Sequence, residues 1–219
     1  MEVLANDNVK IKSNEYYQEI DELVKYINTY LPNIFEYLSL YTDKMCTVRI
    51  LDSKEELDML YKELIFDEND IKSHKEVPGS IASFTYGDEF FILNYEEYID
   101  VYQHSKTTLD DYKAEVVEGL VPIFQLWRYG KLSTSNVVNK GLAAFLSGKD
   151  INVRMLIDSF VDLARSGNSK AYGDFYRFLD STLDRDTIIK LISGGINEDK
   201  IHSLYEGYKH QFLASRGKR

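Results

Sequence analysis

Apolar residues recur along this chain with two periods, and the helical one takes over near the middle. Tyr16, Ile20, Leu23, Tyr26 and Ile27 fall three and four residues apart, which predicts one apolar face on a helix over 14–40. Ser13 stands where an N-cap belongs, and Pro32 predicts a break near Tyr30-Leu31 with a second short helix through Phe35 and Leu38. The segment 47–51, with Val48, Ile50 and Leu51, reads as a buried strand. Asp52-Ser53 then opens a helix over 54–65 with Leu57, Leu60 and Leu64 as its stripe. Residues 66–79 are polar, contain Pro78 and read as a loop, in which His74 is an exposed histidine rather than a ligand. Two runs rich in β-branched and aromatic residues, 81–86 and 89–94, flank Gly87-Asp88. A two-residue gap with glycine first predicts a hairpin closed by a type II′ turn. The segment 95–104 reads as a loop with a helical turn.

From Asp110 onward the period is helical to the end. Helices are expected over 109–129, 135–146, 152–165, 171–183, 186–193 and 198–213, punctuated by Gly130, Gly148, Gly167 and Gly194-Gly195. Strands in the first half and helices in the second give an α+β fold. The expectation is a small mixed or antiparallel sheet in the N-terminal half packed on a predominantly helical C-terminal half. We expect one domain over 1–219, divided into a helical segment 1–41, a strand-rich part 45–105 and a helical part 106–219.

Charge narrows the choice of partner. Lys plus Arg number 26 against 36 Asp plus Glu, a net charge of −10, which argues against nucleic acid and anionic membranes. The basic residues at 216–219 are too few to reverse this and read as a solvated tail. No run approaches the roughly 18 apolar residues of a membrane span. Residues 1–14 lack a signal-peptide core, which favours a cytoplasmic protein. Cys46, the single cysteine, excludes an internal disulfide and a cysteine metal cluster, and its strand context predicts an inert core thiol. Seventeen Tyr against one Trp supply core area with hydroxyls left for a surface or cleft.

Candidate chemistry centres on the helix over 109–129. Thr108 is its expected N-cap, with Asp110 and Asp111 in the first turn. Leu109, Tyr112, Val116, Leu120, Ile123 and Trp127 form one stripe, and Val117, Val121 and Phe124 a second beside it. Glu115 and Glu118 fall among these apolar positions, where a carboxylate is costly without a partner. About twenty residues on comes Asn139-Lys140-Gly141-Leu142-Ala143-Ala144-Phe145-Leu146-Ser147-Gly148.

The two segments together resemble the active-site helices of the gluzincin (peptidase MA-like) zinc metallopeptidases. That family carries His-Glu-x-x-His, two imidazoles on one helical face with a Glu as general base on the metal-bound water. Its third ligand is a Glu in an Asn-Glu-Gly-Leu-Ala-like run on the next helix. Ala114-Glu115-Val116-Val117-Glu118 is similar to the first motif and Asn139-Lys140-Gly141-Leu142-Ala143 to the second. Ala171-Tyr172-Gly173-Asp174-Phe175-Tyr176-Arg177-Phe178-Leu179 resembles the family's Tyr-rich downstream helix, so the resemblance spans roughly 45–193.

The departures fall on the chemistry. The resemblance puts Ala114 and Glu118 at the histidine positions and Lys140 at the ligand Glu, and only Glu115 keeps the general-base position. Ala has no donor atom and an ammonium does not bind a metal, so the family's zinc is expected to be absent and no cofactor takes its place. If the family's backbone is kept, Lys140 points its charge at Glu118, with Glu115 as a further partner, and replaces the ion; breaking such a pair when buried costs about 3–5 kcal/mol. The resemblance also gives Tyr172 a place as a former oxyanion donor, with aromatic packing at a helix start as the plainer reading.

Other sites are weaker. His104 precedes the central helix and reads as a surface residue that can turn toward the old cleft. His202 and His210 lie eight apart, too far for an i, i+4 metal clamp. Ser83 and Ser147 lack the setting of a nucleophile. Three functions stand: an inactive metallopeptidase-like protein binding a basic or amide-rich peptide along the edge of the 81–94 hairpin, a hydrolase with altered metal or metal-free chemistry using Glu115 with Glu118 and His104, and a structural or oligomeric interaction protein. The first is the preferred reading, with the chain more a binder than an enzyme.

Overall fold

The computed structural model describes residues 1–102, 107–148 and 157–216. The strand signals of the first half assemble into one sheet of β1 (Glu2–Leu4), β2 (Val9–Lys12), β3 (Cys46–Leu51), β4 (Ser83–Tyr86) and β5 (Glu89–Leu93), in the order β1-β2-β3-β5-β4. The outer pairs β1–β2 and β4–β5 are antiparallel, while β2–β3 and β3–β5 are parallel. Parallel neighbours need a crossover. The first is α1 (Glu19–Leu38); α2 (Lys54–Ile65) and α3 (Glu68–Lys72) lie in the second. The strand at 47–51 is thus central, which explains why five of the six positions of β3 are buried. With helices filling the second half, the fold is α+β, as the periodicity predicts.

Several boundaries differ from the reading of the sequence. The first two strands carried too short an alternation to stand out, yet Val9 and Ile11 are completely buried. Ser13 does not cap α1. Its hydroxyl donates to the Glu15 carbonyl at 2.6 Å, and the helix starts at Glu19. Pro32 does not break α1 either. It lies on the exposed side, and Asn28, whose carbonyl loses its helical donor to the proline, is also exposed and open to water. The expected loop over 66–79 contains α3, capped by the Asp67 carboxylate. The expected turn after the hairpin is the helix α4 (Tyr95–Val101), because the Asn94 side chain accepts from the Glu97 N–H as an N-cap.

The hairpin itself follows the pattern. Gly87 has φ 57° and Asp88 is not in the left-handed region, as a type II′ turn requires. On one sheet face Phe84 stacks on Phe91 with centroids 4.7 Å apart, and Tyr61 of α2 meets Phe84 edge-on at 5.2 Å. On the other face Ser83, Thr85 and Phe90 look toward α5 (Leu109–Tyr129). Contact is close at Gly119, where an added Cβ would lie 2.1 Å from a Phe90 ring carbon.

The chain forms two compact units, Met1–Ile123 and Phe124–Arg219, with α5 running through the boundary. The second unit contains α6 (Asn136–Leu146), α7 (Phe160–Ser166), α8 (Ser169–Thr182), α9 (Arg185–Ile192) and α10 (Glu198–Arg216). The helix expected over 152–165 begins only at Phe160, capped by Ser159; residues 152–156 lie outside the described residues. Gly141 lets α6 approach α8, since a Cβ there would sit 2.7 Å from the Tyr172 carbonyl oxygen. An aromatic core of Phe160, Phe175, Tyr205 and Tyr208 joins α7, α8 and α10.

Gly119 gives a test of the helix-on-sheet contact. Phe90 is buried, so its ring must shift within the core to admit a Cβ. Gly119→Ala therefore destabilises the protein by about 1–3 kcal/mol despite alanine's better helix propensity, measured by urea unfolding. Adding Phe90→Leu recovers part of the loss.

Candidate functional site

The site is built on α5. Its N-terminus is closed reciprocally: the Asp111 N–H donates to the Thr108 hydroxyl at 3.2 Å, and the Thr108 N–H donates to the Asp111 carboxylate at 3.0 Å. Tyr112, Val116, Leu120 and Ile123 are completely buried, so the stripe seen in the sequence does anchor the helix. Ala114 is buried with them, while Glu115 and Glu118 are half-buried.

Glu115 is fixed from the sheet. The Ser83 hydroxyl of β4 donates to its Oε1 at 2.9 Å. Two residues along β4, the Thr85 hydroxyl donates to the Gly119 carbonyl at 3.1 Å. Alternate side chains of one strand thus fasten to successive turns of α5, which follows from the period-two geometry of the strand. Ser83 was not legible as a nucleophile and is not arranged as one; it is the partner that the carboxylate needs.

Tyrosines line the acidic positions. Tyr98 lies 5.0 Å from Tyr102 and 5.1 Å from Tyr112, ring centre to ring centre. Burial pushes the Tyr98 phenol well up, and the Glu115 charge adds to it. Tyr102 is pushed up to about 12 by burial and by the charges of Glu115 and Glu118. Burial also raises Tyr26, with smaller contributions from Tyr30, Asp110 and Glu118. These phenols stay protonated at neutral pH, so their hydroxyls keep donor capacity beside the acidic residues. Lys113 offsets part of the charge by pairing with Asp110 at 2.7 Å, with its ammonium 5.4 Å from the centre of the Tyr26 ring. Tyr98 and Tyr102 escaped the sequence reading, although their i, i+4 spacing in the acidic stretch after Asn94 was a visible signal.

The resemblance would place zinc ligands at positions 114, 118 and 140. Ala114 offers a methyl group, Glu118 a carboxylate and Lys140 an ammonium. Among the described residues no three His, Cys, Asp or Glu side chains converge on a common point. Lys140 is exposed on α6, so any ion pair it forms belongs to the surface class, worth about 0–1 kcal/mol rather than the 3–5 kcal/mol of a buried pair.

The residues around Lys140 have local roles in the second unit. The Asn139 side chain brackets the turn before α6, donating to the Ser133 carbonyl at 2.9 Å and accepting from the Ser133 N–H at 3.0 Å. Gln125, completely buried, donates to the Ile192 carbonyl at 2.6 Å. Gly141 makes the close approach to α8. Tyr172 is buried at the start of α8; its hydroxyl donates to the Ala164 carbonyl and accepts from the Gly167 N–H, each at 3.1 Å. The hydroxyl thus closes the α7–α8 turn, a role that neither reading of the sequence assigned.

The remaining candidates are placed simply. His104 lies outside the described residues. His74, His202 and His210 are exposed. The Ser147 hydroxyl donates to the Ala144 carbonyl at 3.2 Å. Cys46 is completely buried, and burial pushes its thiol up to about 12, leaving almost no thiolate at neutral pH.

The tyrosine shifts set a pH dependence. Free tyrosine ionises near 10, so between pH 10 and about 12 an unfolded chain has lost protons that folded Tyr98 and Tyr102 still hold. Their contribution is fully present below pH 10 and is lost as pH rises through the folded values. Urea unfolding at stepped pH, with tyrosinate absorbance followed in parallel, shows stability falling steeply above pH 10. Tyr98→Phe flattens that fall.

No family model matches this chain, and no curated protein or solved structure matches it significantly.

Proposed function

We propose that this chain is a catalytically inactive, zinc-metallopeptidase-like protein that binds an extended peptide or protein segment along β4. The observation that carries the reading is the state of that strand. Among the described residues β4 ends the sheet, with β5 as its one partner. The Leu93 N–H donates to the Ala82 carbonyl, so the alternation of an antiparallel ladder turns Phe84 and Tyr86 toward β5 and the backbone groups of Ser83 and Thr85 outward. An extended segment laid there adds a strand and satisfies those groups.

The same Ser83 holds Glu115 at 2.9 Å, so the added strand runs beside the carboxylate and its tyrosines. Acidic groups favour a segment with Lys or Arg, and protonated phenols suit amide carbonyls. The inactive part of the reading rests on the donor set: without imidazoles at 114 and 118, Glu115 has no metal-bound water to deprotonate. The residue resemblance to gluzincins over 45–193 supports the same reading and supplies its ancestry.

Two measurements test it. Elemental analysis of protein purified without chelators gives no stoichiometric transition metal; one metal per chain would favour the altered hydrolase instead. Heptapeptides selected by phage display on the intact protein bind with an affinity that N-methylation of alternate peptide amides lowers at least about tenfold, each lost hydrogen bond contributing about 0.5–1.5 kcal/mol. Thr85→Pro, which removes an outward N–H and spares the β4–β5 ladder, weakens the same peptides. Equal binding by N-methylated peptides would overturn strand addition.

A further inference from the structure

The second unit has a cleft that takes no part in the reading above. Helices α8 and α10 form an open cleft of about 330 Å³ whose lining includes Asp174, Arg177, Phe178, Tyr208 and Phe212. Its base is a carboxylate. Asp174 is 7 % exposed, although Asp is rarely buried without a compensating charge. One oxygen, Oδ2, accepts from the Tyr208 hydroxyl at 2.5 Å. The other, Oδ1, has the Arg177 guanidinium 3.9 Å away, at the far limit of an ion pair and on a side chain 41 % exposed. At 3.9 Å the guanidinium lies beyond hydrogen-bond distance of that oxygen, which leaves Oδ1 able to accept a closer cation. The wall is aromatic: Phe178 meets Tyr208 at 5.4 Å and Tyr208 meets Phe212 at 6.0 Å between ring centres.

We propose that this cleft binds the ammonium group of an alkylamine, with Asp174 as counter-ion and the rings of Phe178, Tyr208 and Phe212 against the alkyl chain. Each part of the cleft matches a part of the ligand. A carboxylate at the base takes the charge in a strong charge-assisted hydrogen bond. Aromatic walls accept methylenes by burial and the cation by its attraction to the ring faces. The volume is at the small end for ligand sites, which suits a chain of four or five carbons and excludes a nucleotide or a large cofactor. The net charge of −10 favours the approach of cations over anions. Arg177 occupies the same carboxylate weakly and acts as the competitor that the amine displaces. The ligand is either a free diamine or a lysine side chain of a partner, since both present this chemistry.

NMR titration of the whole protein tests the proposal with three probes: cadaverine, Nα-acetyl-lysine methylamide and 1-pentanol. The amines saturate with a dissociation constant on the order of 1 mM, as expected for a small ligand with one charge contact, and 1-pentanol binds at least tenfold more weakly. Tighter binding of cadaverine identifies a free diamine as the source, and tighter binding of the acetylated lysine identifies a peptide side chain. Asp174→Asn keeps an oxygen to accept from Tyr208 and removes the charge; it lowers amine affinity at least tenfold. Arg177→Ala raises amine affinity about threefold by removing the competitor. The wild-type titration stands whether or not either variant folds. Saturation by 1-pentanol as readily as by the amines, full binding by a folded Asp174→Asn variant, or no saturation by either amine at tens of millimolar would each overturn the proposal.

Discussion

The approach of α5 to the sheet at Gly119 is the constraint on which the first unit depends. With no Cβ at that position, the helix backbone sits against the Phe90 ring at a distance no other residue permits. Only at that distance do the short side chains of Ser83 and Thr85 span from β4 to the helix, one reaching the Glu115 carboxylate and the other the Gly119 carbonyl. A larger residue at 119 would lift the helix and leave Glu115 half-buried without its donor, at a cost of about 1–3 kcal/mol for the unsatisfied group. The glycine therefore sets both the packing and the placement of the acid.

What surrounds that acid gives the patch its character. Phenols raised by burial and by the neighbouring carboxylates do not ionise at physiological pH, so the patch carries negative charge from Glu and donor capacity from Tyr. This combination of charge and donor capacity is the chemistry on which the proposed binding of a basic or amide-rich segment rests. The second unit repeats part of the theme with different residues: Asp174 is buried, bonded to the phenol of Tyr208 and walled by aromatic rings. In both units tyrosine supplies core area and a hydroxyl at once, which is the physical use of a composition with seventeen tyrosines and one tryptophan.

The legible and illegible features separate by the range of the interactions that make them. The hairpin, the central strand, α5 with its Thr108 cap, α6 and α8 follow from periodicity and capping within a few residues of sequence. Pro32 misled because a proline on the exposed side of a helix frees only a carbonyl that water can satisfy, and exposure is not a local property. Ser13 misled because its hydroxyl found a carbonyl two residues away, leaving the helix to begin at Glu19. Glu115 was conspicuous as a carboxylate in an apolar stripe, but Ser83, 32 residues earlier, could not be assigned to it from spacing.

The sequence by itself determined the fold class, the acidic character, the position of the two glutamates on the central helix and the absence of imidazole and thiolate at the positions where the resemblance would place zinc ligands. These are properties of residue identity and of short-range repetition, which the chain states directly. The tertiary structure decided what those residues touch: Ser83 on Glu115, Thr85 on Gly119, tyrosines around the acids, and Tyr208 on Asp174 across 34 residues. Such contacts depend on strand order and on how closely two backbones approach, and both are set by the packing of the whole core rather than by any stretch of it.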